Sequence, residues 1–232
     1  GTLTLSGVNT YSGATSVNAG ALNIQNTAAL GSSSATIASG AQLQAQGGIS
    51  PTNTLTLSGT GGGTGALLNV ADNNTFSGAM TIASNTTIGS TAGLLTLGNG
   101  GITGGYNLTF AGAGNTAVDG VIATSTGTLT KNGFGTLTLN GTNTYSGTTN
   151  VSAGALNIQN TSALGSSLAT IVTGAQLQAQ GNIAPSNAVT LSGTGNGTGA
   201  LLNISDNNTF SGAITLASNT TIGSTAGNLT LG

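Results

Sequence analysis

Only four side chains in this sequence are ionised at neutral pH: Asp72, Asp119, Asp206 and Lys131. Glutamate, arginine, histidine, cysteine and tryptophan are absent. General acid–base and nucleophilic catalysis need groups of tunable protonation, and a serine or threonine hydroxyl needs a base beside it. Glycoside hydrolysis needs a pair of carboxylates. Asp72 and Asp206 are equivalents in a long repeat, so an elongated fold separates them, and nothing in the pattern ties Asp119 to either. The sequence therefore argues against an enzyme and assigns no catalytic or cofactor-binding residue. Each aspartate reads as a solvated corner residue. Calcium wants several oxygens including carboxylates, and Gly61-Gly62-Gly63 has no aspartate beside it, so no metal ligand is assigned either. The aromatics Tyr11, Phe76, Tyr145 and Phe210 recur at equivalent places. They leave two readings open, a packed interior or corner and a sugar-stacking platform.

Composition narrows the partners. Charged residues are 2% of the 232, against about 25% in ordinary globular chains. A net charge of −2 offers no basic footprint for nucleic acid and no electrostatic hold on an anionic membrane. No apolar run approaches the ~18 residues of a membrane helix, so no membrane insertion is expected. Low charge with 41 glycines also suits disorder or cross-β stacking. Against disorder, leucine, isoleucine and valine keep a strand period. A long, faithful repeat favours a β-helix over amyloid.

Chemistry aside, the chain must be explained by its repeats. Gly1 to Gly98 aligns without gaps on Gly135 to Gly232, an offset of 134 residues, with about 78 of the 98 positions identical. Residues 1–134 thus form a full unit and 135–232 a partial second one, within a single continuous solenoid. A weaker repeat lies inside the unit. Asn9-Thr-Tyr11-Ser-Gly13 returns 65 residues later as Asn74-Thr-Phe76-Ser-Gly78, and both return in the second unit as Asn143, Tyr145, Gly147 and Asn208, Phe210, Gly212. Around the inner repeat, Leu3 and Leu5 fall on Leu68 and Val70, and Val17 on Ile82.

Between the punctuating glycines, asparagines and serines, short runs alternate aliphatic and small polar residues. That period of two marks strands with one buried face. Strands are expected at 2–5, 14–17, 21–24, 35–38, 41–45, 54–58, 66–70, 79–82, 86–89, 94–97, 106–110, 117–122 and 127–130. Gly20 and Gly40 open similar strands, which is the spacing of one turn of a three-sided coil. A coil cannot bury its apolar edge alone, and the next one supplies the missing layer and the backbone partners. The pattern predicts leucine, isoleucine and valine inside, threonine outside, and the motif asparagines near corners, stacked or in left-handed geometry. Residues 99–134, the least repetitive stretch, read as further coils with looser corners.

The clearest copy of the repeat lies within residues 127–160. Its Gly-Thr-Leu-Thr-Leu opening at 135–139, Asn143-Thr-Tyr-Ser-Gly147 and the Val-x-Ala-Gly-x-Leu-x-Ile close at 151–158 resemble the autotransporter-associated β-strand repeat of exported bacterial surface proteins. Residues 1–24 match equally well. The resemblance implies an all-β, right-handed parallel β-helix with three short strands per coil of about 20–22 residues. It also implies export through an outer-membrane barrel to the extracellular cell surface, and no chemistry.

The expected function is accordingly structural: a stalk, fibre or cell-surface filament segment, with an adhesive role left open. Its partners would be further copies of the same repeat, end to end or side by side, and a ligand on a host or neighbouring cell. The alternative is an extended-surface binder such as an ice-binding β-helix, for which Thr2/Thr4, Thr54/Thr56 and Thr136/Thr138 supply alternating threonines. The sequence opens on the repeat's own first strand and stops at the equivalent of Gly98. A continuation like residues 99–134 and then another copy of 1–98 is expected beyond Gly232.

Overall fold

The computed structural model describes every residue from Gly1 to Gly232. The alternating runs form strands of two to eleven residues, and each pairs in parallel with a strand roughly one coil further along. The result is a parallel β-solenoid of about 11 turns with roughly 21 residues per coil. The only helical turn is at Gly61–Gly63.

Each coil has three faces. Face A starts at β1 (Thr2–Leu5) and continues through β3 (Ala21–Ile24), β5 (Gln42–Ala45) and β7 (Leu67–Asn69). Face C starts at β2 (Thr15–Val17) and continues through β4 (Ala35–Ile37) and β6 (Leu55–Gly59). Face B begins as irregular backbone around Asn9. It becomes regular at β8 (Asn74–Phe76), β10 (Leu94–Leu97) and β13 (Asn115–Val118).

The 134-residue repeat does not close on whole coils. β1 lies on face A, but its equivalent β16 (Thr136–Leu139) stacks on β13 of face B. β2 lies on face C, but its equivalent β17 (Thr149–Val151) stacks on β15 (Leu129–Lys131) of face A. β15 is the seventh strand of that face. One repeat therefore spans six coils and one further face, and the second copy is turned by one face relative to the first.

Inward side chains form files. On face A, Leu22, Leu43, Leu67, Ile88, Phe110, Lys131, Val151, Ile171 and Leu191 lie one above another. On face B, Leu137, Leu156, Leu177 and Leu201 do the same, and all four are fully buried. The buried apolar residues form one cluster of 46, reaching from Val17 to Phe210.

The strand expectations at 2–5, 21–24 and 94–97 match the structure residue for residue, and residues 99–134 do form coils. Four details differ. The segments at 79–82 and 86–89 are one strand, β9 (Met80–Ser90), which bends from face C onto face A and pairs on both. The run at 117–122 straddles a corner, and the strands are β13 and β14 (Ile122–Ala123). Asn74–Phe76 is a strand rather than a corner, because Asn74 and Phe76 both point inward. Finally, Leu3 shares a file with Leu67, not Leu68, which faces outward beside Gln44. The corner before Asn74 is one residue longer than that before Asn9. It is closed by Asp72 in the left-handed region (φ 66).

Candidate functional site

The recurring Asn-Thr-aromatic-Ser-Gly motif is the most built feature of the solenoid. Its asparagine is a clamp between coils. Asn143 Oδ1 accepts the Ile122 N–H at 2.7 Å from the coil before. Its Nδ2 donates to Ala163 O at 2.6 Å in the coil after. Asn74 and Asn208 accept the Ile49 and Ile183 N–H groups in the same way, both at 2.8 Å. Asn9, in the first coil, makes only the forward bond, to Ala29 O. None of these asparagines is left-handed. Among residues other than glycine, that geometry belongs to Asp72, Ser125, Asn182, Asn196 and Asp206.

The motif aromatic fills the interior. Phe76, Tyr145 and Phe210 are buried, which leaves no face for a sugar, while Tyr11 in the first coil is 38% exposed. Tyr145 shares a hydrogen bond with Thr149 Oγ1 at 2.9 Å, and Thr149 with Ser167 Oγ at 2.8 Å. Burial pushes the Tyr145 phenol up to about 12, against the opposing pull of its bonds to Thr149 and Ser167.

The motif glycine allows close approach. A Cβ on Gly147 would lie 2.2 Å from Gly127 O, on Gly78 2.1 Å from Asn53 O, and on Gly212 2.1 Å from Asn187 O. No real side chain tolerates such contacts. Gly13 has nothing within 4 Å, since it lies in the first coil. Gly13 apart, the motif residues thus serve to join and fill coils.

The aspartates sit at corners. Asp72, exposed between faces A and B, accepts the Gly47 N–H at 2.8 Å. Asp206, between faces B and C, accepts the Gly181 N–H at 2.9 Å. Asp119, also between B and C, accepts Asn140 Nδ2 at 2.7 Å. Nowhere do three acidic, histidine or cysteine side chains gather as a metal site would require.

Lys131 was not legible from its surroundings in the sequence. It occupies an inward position between Phe110 and Val151, only 4% exposed. Its Nζ escapes the apolar file by donating to Gly133 O at 2.6 Å and Ala153 O at 3.1 Å. No carboxylate answers it, and burial pulls its pKa down to about 8. One hydroxyl, Thr124 Oγ1, is buried without a partner.

Outward threonines form ladders. Face C carries Ser16, Thr36, Thr56, Thr81 and Thr103 in one file. Face A then carries Thr87, Thr109, Thr130, Asn150, Thr170, Thr190 and Thr215. Asn150, Thr170, Thr190 and Thr215 are the second-copy equivalents of Ser16, Thr36, Thr56 and Thr81, so those positions move from face C to face A, where Thr87, Thr109 and Thr130 of the first copy already lie. The alternating pairs Thr2/Thr4, Thr54/Thr56 and Thr136/Thr138 fall on faces A, C and B respectively. They do not combine into one flat two-file lattice.

Comparison with known proteins agrees with this architecture. The family model of the passenger-associated-transport-repeat matches residues 1–24 and 129–158. No curated protein and no solved structure matches the chain. The two matches fall one in each copy of the long repeat, so over these residues the chain is similar to the transport repeat of autotransporter passengers.

Proposed function

We propose that the chain is a shaft segment of an exported bacterial surface protein, a stalk or filament that stands off the cell and serves adhesion, without catalysing a reaction itself. The observation that carries this reading is the inward file of face A, which runs from Leu22 to Leu191 through both copies of the repeat and is apolar except at Lys131. Along that face each coil gives the next a row of backbone partners and an inward edge to stack on. Such a solenoid lengthens by adding sequence, at ~4.8 Å per coil. Its partners in this reading are more of the same repeat, end to end or side by side, and a ligand on a host or neighbouring cell. With four ionised side chains in 232 residues, shafts lying side by side meet almost no charge repulsion. Antibody labelling of intact and permeabilised source cells is the test. Labelling of intact cells, projecting from the envelope, is expected; labelling only after permeabilisation overturns the proposal.

A further inference from the structure

Small residues occupy the corner between faces A and B over several coils, with Ala92, Ala113 and Ala153 at successive turns. Phe134 interrupts them. It is flanked by Gly133 and Gly135, and its ring is 88% exposed, more than any other large apolar side chain in the chain. Exposing a phenylalanine forgoes the free energy of burying its ring, and packing gives no reason for it here. Gly154 lies on the Phe134 backbone, where a Cβ would come 2.8 Å from Phe134 O.

Beside the ring runs a groove of about 320 Å³, at the lower end of the ~300–1,000 Å³ of ligand sites. In coil order its lining begins with Phe134, continues through Ser152, Ala153 and Gly154 and then Thr173 and Gly174, and ends with Asn196. These residues belong to four successive corners, so the groove crosses three coil rises, about 14 Å. Ser152, Thr173 and Asn196 are exposed, and their hydroxyls and amide face solvent. Asn196 is held in the left-handed region (φ 58) and stands where the first copy of the repeat has Gly62.

The chemistry of this groove selects its occupant. No lining residue is charged, and the nearby Lys131 amine is turned inward onto two carbonyls. Recognition of phosphate, sulfate or a charged peptide has nothing to work with. The backbone is already paired along this corner, as Ser152 N–H bonds to Lys131 O and Gln176 N–H to Gly154 O, so no extended peptide can add as a strand. An apolar ring face beside hydroxyl and amide groups suits a ligand with apolar C–H faces and hydroxyl edges. We propose that this groove is a binding subsite for a neutral oligosaccharide, with one pyranose face stacked on Phe134 and hydroxyls bonded to Ser152, Thr173 and Asn196. The proposal does not depend on the shaft reading and is tested without cells.

The test is titration of the purified 232-residue chain with maltotriose, cellotriose and N,N′,N″-triacetylchitotriose, read by saturation-transfer NMR and calorimetry. Millimolar binding of at least one is expected. Phe134→Ala should weaken it about tenfold, the equivalent of one aromatic stacking contact. Phe134→Tyr should retain it, and Asn196→Gly should weaken it several-fold. Because Phe134 is exposed, its variants should melt with the parent; were Phe134→Ala to misfold, Asn196→Gly alone would decide. Absence of binding by all three sugars, or binding unchanged in the folded variants, overturns the proposal.

Discussion

Asp72 and Asp206 hold the same conformation and the same hydrogen bond at two different corners of the solenoid. Their φ angles are 66° and 65°. Each accepts a backbone N–H from a glycine 25 residues earlier, Gly47 or Gly181. Yet Asp72 stands between faces A and B, and Asp206 between B and C. Local structure follows the sequence repeat, while position around the axis does not, because 134 residues make six coils and one face more. Any feature of one repeat is therefore shown in a new direction by the next.

That rotation can be tested by cross-linking. Asn150 is the equivalent of Ser16. If the two units stacked in phase, Asn150 would follow Thr103 and Ala123 on face C. It stacks instead on Thr130 of face A. Paired parallel strands bring Cα atoms to ~4.8 Å, within the 4.4–6.8 Å that a disulfide spans. The double variant Thr130→Cys/Asn150→Cys should oxidise to an internal disulfide, and Ala123→Cys/Asn150→Cys should not. The reverse result would show the units to be in phase.

The motif glycines should respond to mutation according to what lies beneath them. Gly147→Ala puts a Cβ 2.2 Å from Gly127 O, and the backbones must separate. Overpacking of this kind costs about 1–3 kcal/mol or more. Gly13→Ala meets nothing within 4 Å in this chain and should melt with the parent. Thermal melts of the two variants decide the matter. Equal behaviour would mean that the glycine is kept for flexibility rather than for close approach.

Leu156 lies in file between Leu137 and Leu177 and is fully buried. Leu156→Ala should cost about 2–5 kcal/mol. Leu156→Asp, which adds an unpaired carboxylate to the file, should cost several kcal/mol and abolish cooperative melting. Circular dichroism melts that stay within a few degrees of the parent would refute the inward assignment.

Much of this architecture could be read from the sequence for one reason: a solenoid stacks like on like, so spacing along the chain becomes distance along the axis. Leu137, Leu139, Leu156 and Ile158 declare their side through the period of two, and all four are fully buried. The rest depends on corner length, which hydropathy does not encode. One extra residue closed by a left-handed Asp72 moves the file from Leu68 to Leu67. Corners of varying length likewise hide the one-face rotation. Lys131 was opaque because its position looks like any strand end, and it takes the Gly133 carbonyl together with the next coil's Ala153 carbonyl to make an inward lysine tolerable. Phe134 was opaque because an aromatic between two glycines looks the same whether its corner is covered or bare.

The two shifted groups make a last prediction, about pH. Lys131 is charged in the unfolded chain up to its ordinary value of 10.5, but in the fold only up to about 8. Between these values the unfolded state binds more protons, so stability rises with pH across that window. Tyr145 works in the opposite sense. Its folded value of about 12 lies above the ordinary 10.0, so the unfolded state loses its proton first and stability falls from about pH 10 to 12. Melting temperature should therefore climb above pH 8, peak near 10 and then drop. Lys131→Met should remove the climb: it should melt above the parent at pH 7, with the difference shrinking towards pH 10.5. The Gly133 and Ala153 carbonyls lose a donor in this variant, at about 1 kcal/mol, which limits the gain at pH 7 but does not depend on pH. Tyr145→Phe should keep the climb and lose the drop. A Lys131→Met profile parallel to the parent's from pH 7 to 10.5 would show that the buried amine folds with its proton still bound.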